Sequence, residues 1–164
     1  PSNIGTSFYE TVMKRVNKKG IKVVLDTIGE GFLKALSQEP FLVKPNQIEL
    51  EEMFDKKVET KEELVLLAKK VQDMGAQNVL VSLGGEGAML LTEDGDVIFE
   101  KAPQGKVINT VGAGDSMVAG FLAEYVNTKD FAASLKYGIA SGSASAFSKN
   151  LATKEEIDAL RKNL

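Results

Sequence analysis

The heptapeptide Asn109-Thr110-Val111-Gly112-Ala113-Gly114-Asp115 sets two glycines and an alanine directly before a carboxylate. Such small residues let the backbone turn tightly and expose consecutive N–H groups. The apolar spacing that follows predicts a helix, whose N-terminus favours anions through its dipole. A nest of this kind holds phosphate, or charge developing on an oxyanion. Asp115, at its mouth, is open to two roles: a helix cap, the commoner use of Asp at a helix start, or a general base beside a phosphate site. The stretch is not a Walker loop, which needs G-x-x-x-x-G-K-[ST]. It is not G-x-G-x-x-G either, because position 117 is Met.

Two further stretches carry related chemistry. Ser82-Leu83-Gly84-Gly85-Glu86-Gly87 can cradle a phosphate or let an adenine lie against backbone, and it can equally be a plain glycine turn between strands. In Lys44-Pro45-Asn46, followed by Glu49, the lysine can neutralise phosphate. Asn46 and Glu49, three apart on one helix face, can orient a hydrated Mg²⁺. An ordinary first-turn acid is the plainer role for Glu49. The small residues Gly138, Ala140, Ser141, Gly142, Ser143 and Ala144 suit close helix packing first and a nucleotide pocket second. Two glycine turns, a lysine, an Asn/Glu pair and an exposed Asp form an inventory for phosphoryl transfer that needs neither His nor Cys.

That independence matters, because the 164-residue chain contains no His and no Cys. A Ser-His-Asp triad, an imidazole base, a thiol nucleophile, a disulfide and a thiolate zinc site are all excluded. Acid–base work falls to Asp, Glu, Lys or Tyr, and any metal is a hard cation on oxygen ligands such as Mg²⁺. Hydrophobic residues are 43% and charged residues 26%, the balance of a globular domain. The net charge of −3 and pI near 5.2 argue against a nucleic-acid partner held by a basic surface. No apolar run approaches the ~18 residues of a membrane span, so no membrane partner is expected. Absence of Cys fits a cytoplasmic location. The chain starts at Pro1 with no signal-peptide pattern, so its N-terminus reads as processed, cut or the start of a fragment.

These residues have to be held by a regular scaffold. Phe8, Val12, Met13 and Val16 share a face of an opening helix. Ile21–Leu25 is a short buried strand, Gly31–Ser37 a helix, and Phe41–Val43 a second strand. Residues 47–57 form an acidic helix, with 47–63 as a solvated face. Thr60 and Glu63 have capping-box spacing and open a helix through Leu64, Leu67, Ala68 and Val71 that ends at Gly75. Val79–Leu83 is a third strand. Asp94-Gly95 turns a hairpin of 88–92 and 96–101. A strongly amphipathic helix carries Val118, Phe121, Leu122, Tyr125 and Val126. Residues 130–147 make another, and Thr153 with Glu156 caps a last one bearing Ile157, Leu160 and Leu164. Strands alternating with helices predict an α/β fold, a mostly parallel sheet with helices on both faces and one antiparallel hairpin, in a single domain over 1–164. Ligands in such sheets bind where strands end and helices begin.

Asn109-Thr-Val-Gly-Ala-Gly-Asp-Ser-Met-Val-Ala-Gly-Phe121 resembles the second signature of the ribokinase-type carbohydrate kinases, the phosphofructokinase B family. Lys44-Pro-Asn-Gln-Ile-Glu49 and Val81-Ser-Leu-Gly-Gly-Glu-Gly-Ala88 resemble two further landmarks of that family, in the expected order. Within it, the similarity is greatest to members that phosphorylate fructose 1-phosphate to the 1,6-bisphosphate, with tagatose-6-phosphate kinases close behind. The resemblance implies a three-layer α/β/α, ribokinase-like fold. It implies Asp115 as the base toward the sugar hydroxyl and an anion hole from the backbone of Gly112, Ala113 and Gly114. It further implies ATP contacts from Ser82, Leu83, Gly84, Gly85, Glu86 and Gly87 and at Gly114 and Asp115, with Lys44 near the phosphates. Asn46 and Glu49 would act on Mg²⁺ through water, and residues of 140–150 would wall the adenine. The partners implied are ATP and a sugar phosphate, with a homodimer open for the intact protein. Many members carry Asp where this chain has Asn109, a position that in some helps bind a monovalent cation, which leaves potassium dependence open. Pro1–Ile4 aligns with the middle of a family member. The chain therefore corresponds to a C-terminal nucleotide-binding part, without the family's sugar-binding half and lid, and is expected to be inactive alone. Two other classes remain at this stage: a non-catalytic nucleotide-binding module, and a structural α/β domain whose glycines only make turns.

Overall fold

The computed structural model describes residues 8–27, 29–162 and 164; the alignment of Pro1–Ile4 lies outside them. The elements run α1 (Phe8–Asn17), β1 (Val24–Leu25), α2 (Glu30–Leu36), β2 (Leu42–Val43), α3 (Gln47–Phe54), α4 (Lys61–Asp73) and β3 (Asn78–Ser82). They continue with a 3₁₀ turn (Gly84–Glu86), β4 (Ala88–Leu91), β5 (Val97–Glu100), α5 (Ala113–Thr128), α6 (Phe131–Phe147) and α7 (Lys154–Arg161). This is the expected succession. The strands form one sheet in the order β1-β2-β3-β4-β5. β1, β2 and β3 pair in parallel, with Val24 opposite Leu42 and Leu42 opposite Asn78. A tight turn between β4 and β5, with Thr92 N–H donating to the Asp96 carbonyl at 2.9 Å, makes the sheet mixed. The chain divides into two compact units: residues 1–81 with 90–97, and residues 82–89 with 98–164.

In the first unit, Leu42, Val43, Val79, Leu80 and Val81 are fully buried, the continuous apolar pattern of parallel strands covered on both faces. Asn78 is buried too and fully satisfied. Its Nδ2 donates to the Phe41 carbonyl at 2.7 Å, and its Oδ1 accepts from Glu93 N–H at 2.9 Å. Thr60 and Glu63 close the predicted capping box, and Leu64, Leu67, Ala68 and Val71 are the buried stripe of α4. Gly75 ends that segment at φ +127°, where a Cβ would overlap the Leu36 carbonyl oxygen. Strand β1 is shorter than the apolar run: Ile21 is exposed, and only Val24 and Leu25 pair with β2. In α1, Met13 is buried while Phe8 and Val12 are exposed; residue 13 lies a further 100° round the helix from residue 12.

The acidic helix departs from a solvated face. α3 stops at Phe54 because Asp55 adopts a left-handed conformation, φ 46°. The chain then folds back on Glu51, which is buried. Glu51 accepts from Gln47 Nε2 at 3.0 Å, Lys57 Nζ at 2.8 Å and Val58 N–H at 3.1 Å. These bonds, the Gln47 amide first, lower its pKa from 4.5 to about 2. A carboxylate with a depressed folded-state pKa stabilises the fold above its unfolded pKa and loses that contribution as pH falls through the folded value. The stabilisation is therefore expected to fade between pH 4.5 and about 2. Glu51→Gln should lower the melting temperature at neutral pH. The gap to wild type should close as the pH drops through that window; a constant gap would mean that Glu51 acts by shape alone.

In the second unit, α5 and α6 pack through small residues. A Cβ at Gly120 would overlap Ser141 Oγ. One at Gly138 would sit 2.8 Å from the Met117 carbonyl oxygen, and one at Gly142 3.0 Å from that of Ala113. Phe121, Leu135, Ile139, Ala140 and Ala144 are buried, but Val126 is exposed, so the apolar residues of α5 are not confined to one face. Thr153 and Glu156 form a capping box, and Ile157, Leu160 and Leu164 are half-buried. Arg161 fastens α7 to α5, donating to both Glu124 oxygens at 2.7 and 3.2 Å. Among the described residues no helix is long and apolar enough to cross a membrane.

Candidate functional site

The second unit contains a cavity of about 430 Å³, within the range of small-molecule sites. Its walls come from three places. Ser82, Gly84 and Gly85 stand at the end of β3. Ala102 to Gly105 and Val107 belong to the loop after β5. Ala113, Gly114 and Met117 of α5, just after Thr110, face Gly142, Ser143, Ala146 and Phe147 of α6.

In the first glycine turn, open space and close packing fall on different glycines. Leu83 N–H donates to the Gly87 carbonyl at 2.9 Å, and Gly87 N–H to that of Gly84 at 3.2 Å, which closes the turn. Gly84, at φ +58°, and Gly85 have open space where a Cβ would be, and both face the cavity. Gly87, at φ 104° and ψ −132°, lies against β5, and a Cβ there would overlap the Glu100 carbonyl oxygen. Leu83, Glu86 and Gly87 do not line the cavity.

The second glycine turn is partly helix. Gly112 is the N-cap of α5, in the left-handed region at φ 79°, with no side-chain cap bond. This conformation favours glycine. The first helical bond runs from Ser116 N–H to the Gly112 carbonyl at 2.9 Å, and Ala113 N–H is already taken by the Thr110 carbonyl at 3.2 Å. The N–H groups of Gly114 and Asp115 belong to the first turn, where helices leave donors free. Asp115 is exposed and is the third residue of the helix, not its cap. Among the described residues its carboxylate makes no hydrogen bond or ion pair. Asn109 holds its own turn, accepting from Val111 N–H at 3.0 Å.

The remaining sequence candidates lie in the first unit. Lys44 is buried, 8% exposed, with Nζ 3.2 Å from Asp26 Oδ1, so its charge already has a partner. Asn46 and Glu49 cap α3 reciprocally: Glu49 N–H donates to Asn46 Oδ1 at 2.9 Å, and Asn46 N–H to Glu49 Oε2 at 2.7 Å. This leaves the other Glu49 oxygen unpartnered among the described residues. No cluster of three or more acidic side chains that could grip a bare ion occurs among the described residues. A hydrated Mg²⁺ needs only one or two carboxylates, and the Asn46/Glu49 pair fits that lesser demand.

Sequence reasoning did not find the 102–107 wall. Its signal is Pro103-Gln104-Gly105 directly after the hairpin, and Gly105 packs under the Phe147 ring, which a Cβ would overlap. Within 140–150, Gly142, Ser143, Ala146 and Phe147 are the residues that face the cavity.

A mixed α/β sheet with two glycine-built turns around one cavity of small-molecule size is a frame that many binding proteins share, and comparison with known proteins identifies the family. Residues 1–158 match the pfkB family of carbohydrate kinases, and the chain belongs to that family. It is 43% identical over 160 residues to the 1-phosphofructokinase of Bacillus subtilis strain 168, covering 98% of this chain and 52% of that protein. It is 33% identical over 159 residues to the D-tagatose-1-phosphate kinase of Bacillus licheniformis, covering 96% and 52%. The structure of Arabidopsis thaliana ribokinase complexed with ribose and ATP superposes with a TM-score of 0.85 at 27% identity, over 97% of this chain and 53% of that one. The fold is ribokinase-like, and the chain spans about half the length of the relatives it matches.

Proposed function

We propose that these 164 residues are the C-terminal nucleotide-binding and catalytic part of a sugar-phosphate kinase. The reaction would be ATP-dependent phosphoryl transfer to fructose 1-phosphate, giving the 1,6-bisphosphate. The observation that carries this is the second unit's cavity, where the Ser82–Gly85 turn meets the N-terminus of α5 beside an unpaired Asp115. The α6 wall would hold the adenine, and the phosphates would lie toward the glycine turns. The acceptor hydroxyl is a poor nucleophile until its proton has somewhere to go, and the exposed Asp115 carboxylate would take it. The free N–H groups at the start of α5, with Gly112 and Gly114 giving the backbone its approach, stabilise negative charge on the transferring group. Asn46 and Glu49, in the first unit, would hold a hydrated Mg²⁺ through water, the kind of ion that supplies charge neutralisation in phosphoryl transfer. The similarity to a 1-phosphofructokinase supports the acceptor; the similarity to a tagatose-1-phosphate kinase favours a ketohexose phosphate of the other epimer as the second choice.

The test is turnover by the full-length protein with ATP, with and without Mg²⁺, on fructose 1-phosphate, tagatose 1-phosphate, tagatose 6-phosphate and ribose. The highest kcat/KM is expected on fructose 1-phosphate, and only with Mg²⁺ present. An equal or higher value for either tagatose phosphate reassigns the acceptor. Nucleotide binding without turnover of any of them makes the protein a non-catalytic module.

A further inference from the structure

One short stretch of α6 holds both flanks of the glycine nest. On the entry side, Ile108 and Asn109 N–H groups both donate to the Ala146 carbonyl, at 2.8 and 3.1 Å. On the exit side, Ser145 Oγ donates to Ser116 Oγ at 2.9 Å, and Ser116 is the residue after Asp115. Ser145 is 3% exposed and stands 29 residues away in sequence. Its hydroxyl also accepts from Ala152 N–H at 3.2 Å, which fixes its rotamer from the far side. Ser145 therefore differs from Ser134 of the same helix, which is equally buried but whose hydroxyl, among the described residues, bonds the carbonyl of its own cap, Asp130. Ser145 reaches out of its helix to the first turn of another.

We propose that Ser145, acting through Ser116, is a positioning residue that sets the first turn of α5 and with it the direction of the Asp115 carboxylate and the nest N–H groups. This rests on the catalytic role given to Asp115 above. A part-buried hydroxyl pair, with Ser145 its buried member, gives a directional constraint that small apolar side chains in the same space would not. Catalysis that depends on placement is lost steeply with displacement, with a 1 Å error costing up to about 10²-fold. Nucleotide held by the cavity walls would be much less affected.

The experiment compares Ser145→Ala, Ser116→Ala, the double variant, Ser116→Thr, Ser134→Ala and Asp115→Asn in the full-length protein. Ser145→Ala and Ser116→Ala are each expected to lower kcat on the order of 10-fold, with KM for ATP within about 2-fold. The double variant should be no worse than the stronger single, because the two hydroxyls form one link. Ser116→Thr, which keeps the hydroxyl, should restore kcat, and Ser134→Ala should leave kcat per folded molecule unchanged. An unchanged kcat in Ser116→Ala and Ser145→Ala, losses that multiply in the double, or an equal loss in Ser134→Ala would overturn the proposal. If Ser145→Ala does not fold, the Ser116→Ala and Ser116→Thr pair decides. Asp115→Asn separates the two levels. Full activity there removes the catalytic reading itself, whereas its collapse alongside a normal Ser116→Ala removes only the positioning role.

Discussion

Asp115→Asn in the full-length protein is expected to lower kcat by roughly 10²- to 10⁴-fold, the range lost when a positioned general base is removed. The substitution keeps the shape of the side chain and deletes only the proton acceptor. Folding should be nearly unaffected. Among the described residues the carboxylate bonds no backbone N–H, and it is not the N-cap of α5, so what is lost is a charge near a helix N-terminus, about 0.3–1 kcal/mol at an exposed site. ATP affinity should stay within a few-fold, because removing negative charge beside phosphates does not weaken their binding. The measurements are steady-state kcat, nucleotide titration and thermal melting on one preparation. A variant that melts early yet keeps its turnover per folded molecule would make Asp115 a stabilising first-turn acid and leave the proton without a known acceptor.

The second large effect is on stability and separates two glycines two residues apart. Gly87→Ala forces a side chain into a conformation at φ 104°, ψ −132° and into the Glu100 carbonyl. Backbone strain of about 1–3 kcal/mol and a comparable packing cost apply there. The neighbour is backbone and gives little, so a total loss of about 2–6 kcal/mol is expected, read as a Tm lowered by roughly 4–24 °C. Gly85→Ala meets nothing within 4 Å and should stay within about 0.5 kcal/mol of wild type. Its methyl group is placed at the cavity wall, so nucleotide affinity is where its effect should appear. Equal melting temperatures for the two variants would show that the turn relaxes around Gly87 and that both glycines serve the same end.

Much of the scaffold was legible because it is encoded within a few residues. Thr60 with Glu63 and Thr153 with Glu156 announce helix starts, since a capping box is closed by side chains three positions apart. Asp94-Gly95 marks the hairpin for the same local reason. Alternation of strands and helices then implies the parallel pairing of β1, β2 and β3. The three family motifs stand in order along the chain, and the absence of His and Cys restricts the chemistry before any coordinate is known. A boundary is misjudged where a turn just beyond the element overrides its composition. The acidic run after Gln47 stops at Phe54 because the chain turns back to bring Lys57 and Val58 onto Glu51.

Fold class, family and the residues offered as candidates for a phosphate site were therefore readable from local pattern. The separate surroundings of those residues emerge only on packing. Gly84 and Gly85 face open space while Gly87 is pressed against Glu100. Gly112 takes the cap position, and the Asp115 carboxylate has no bonding partner among the described residues. Lys44 is buried against Asp26, and Ser145 reaches Ser116 across 29 residues. The physical reason is range. Backbone conformation and capping respond to neighbours a few positions away, and their signals survive in the sequence. Burial, a free carboxylate and the direction of a hydroxyl depend on which remote atoms fill the adjoining space, and that is set only when the chain has packed.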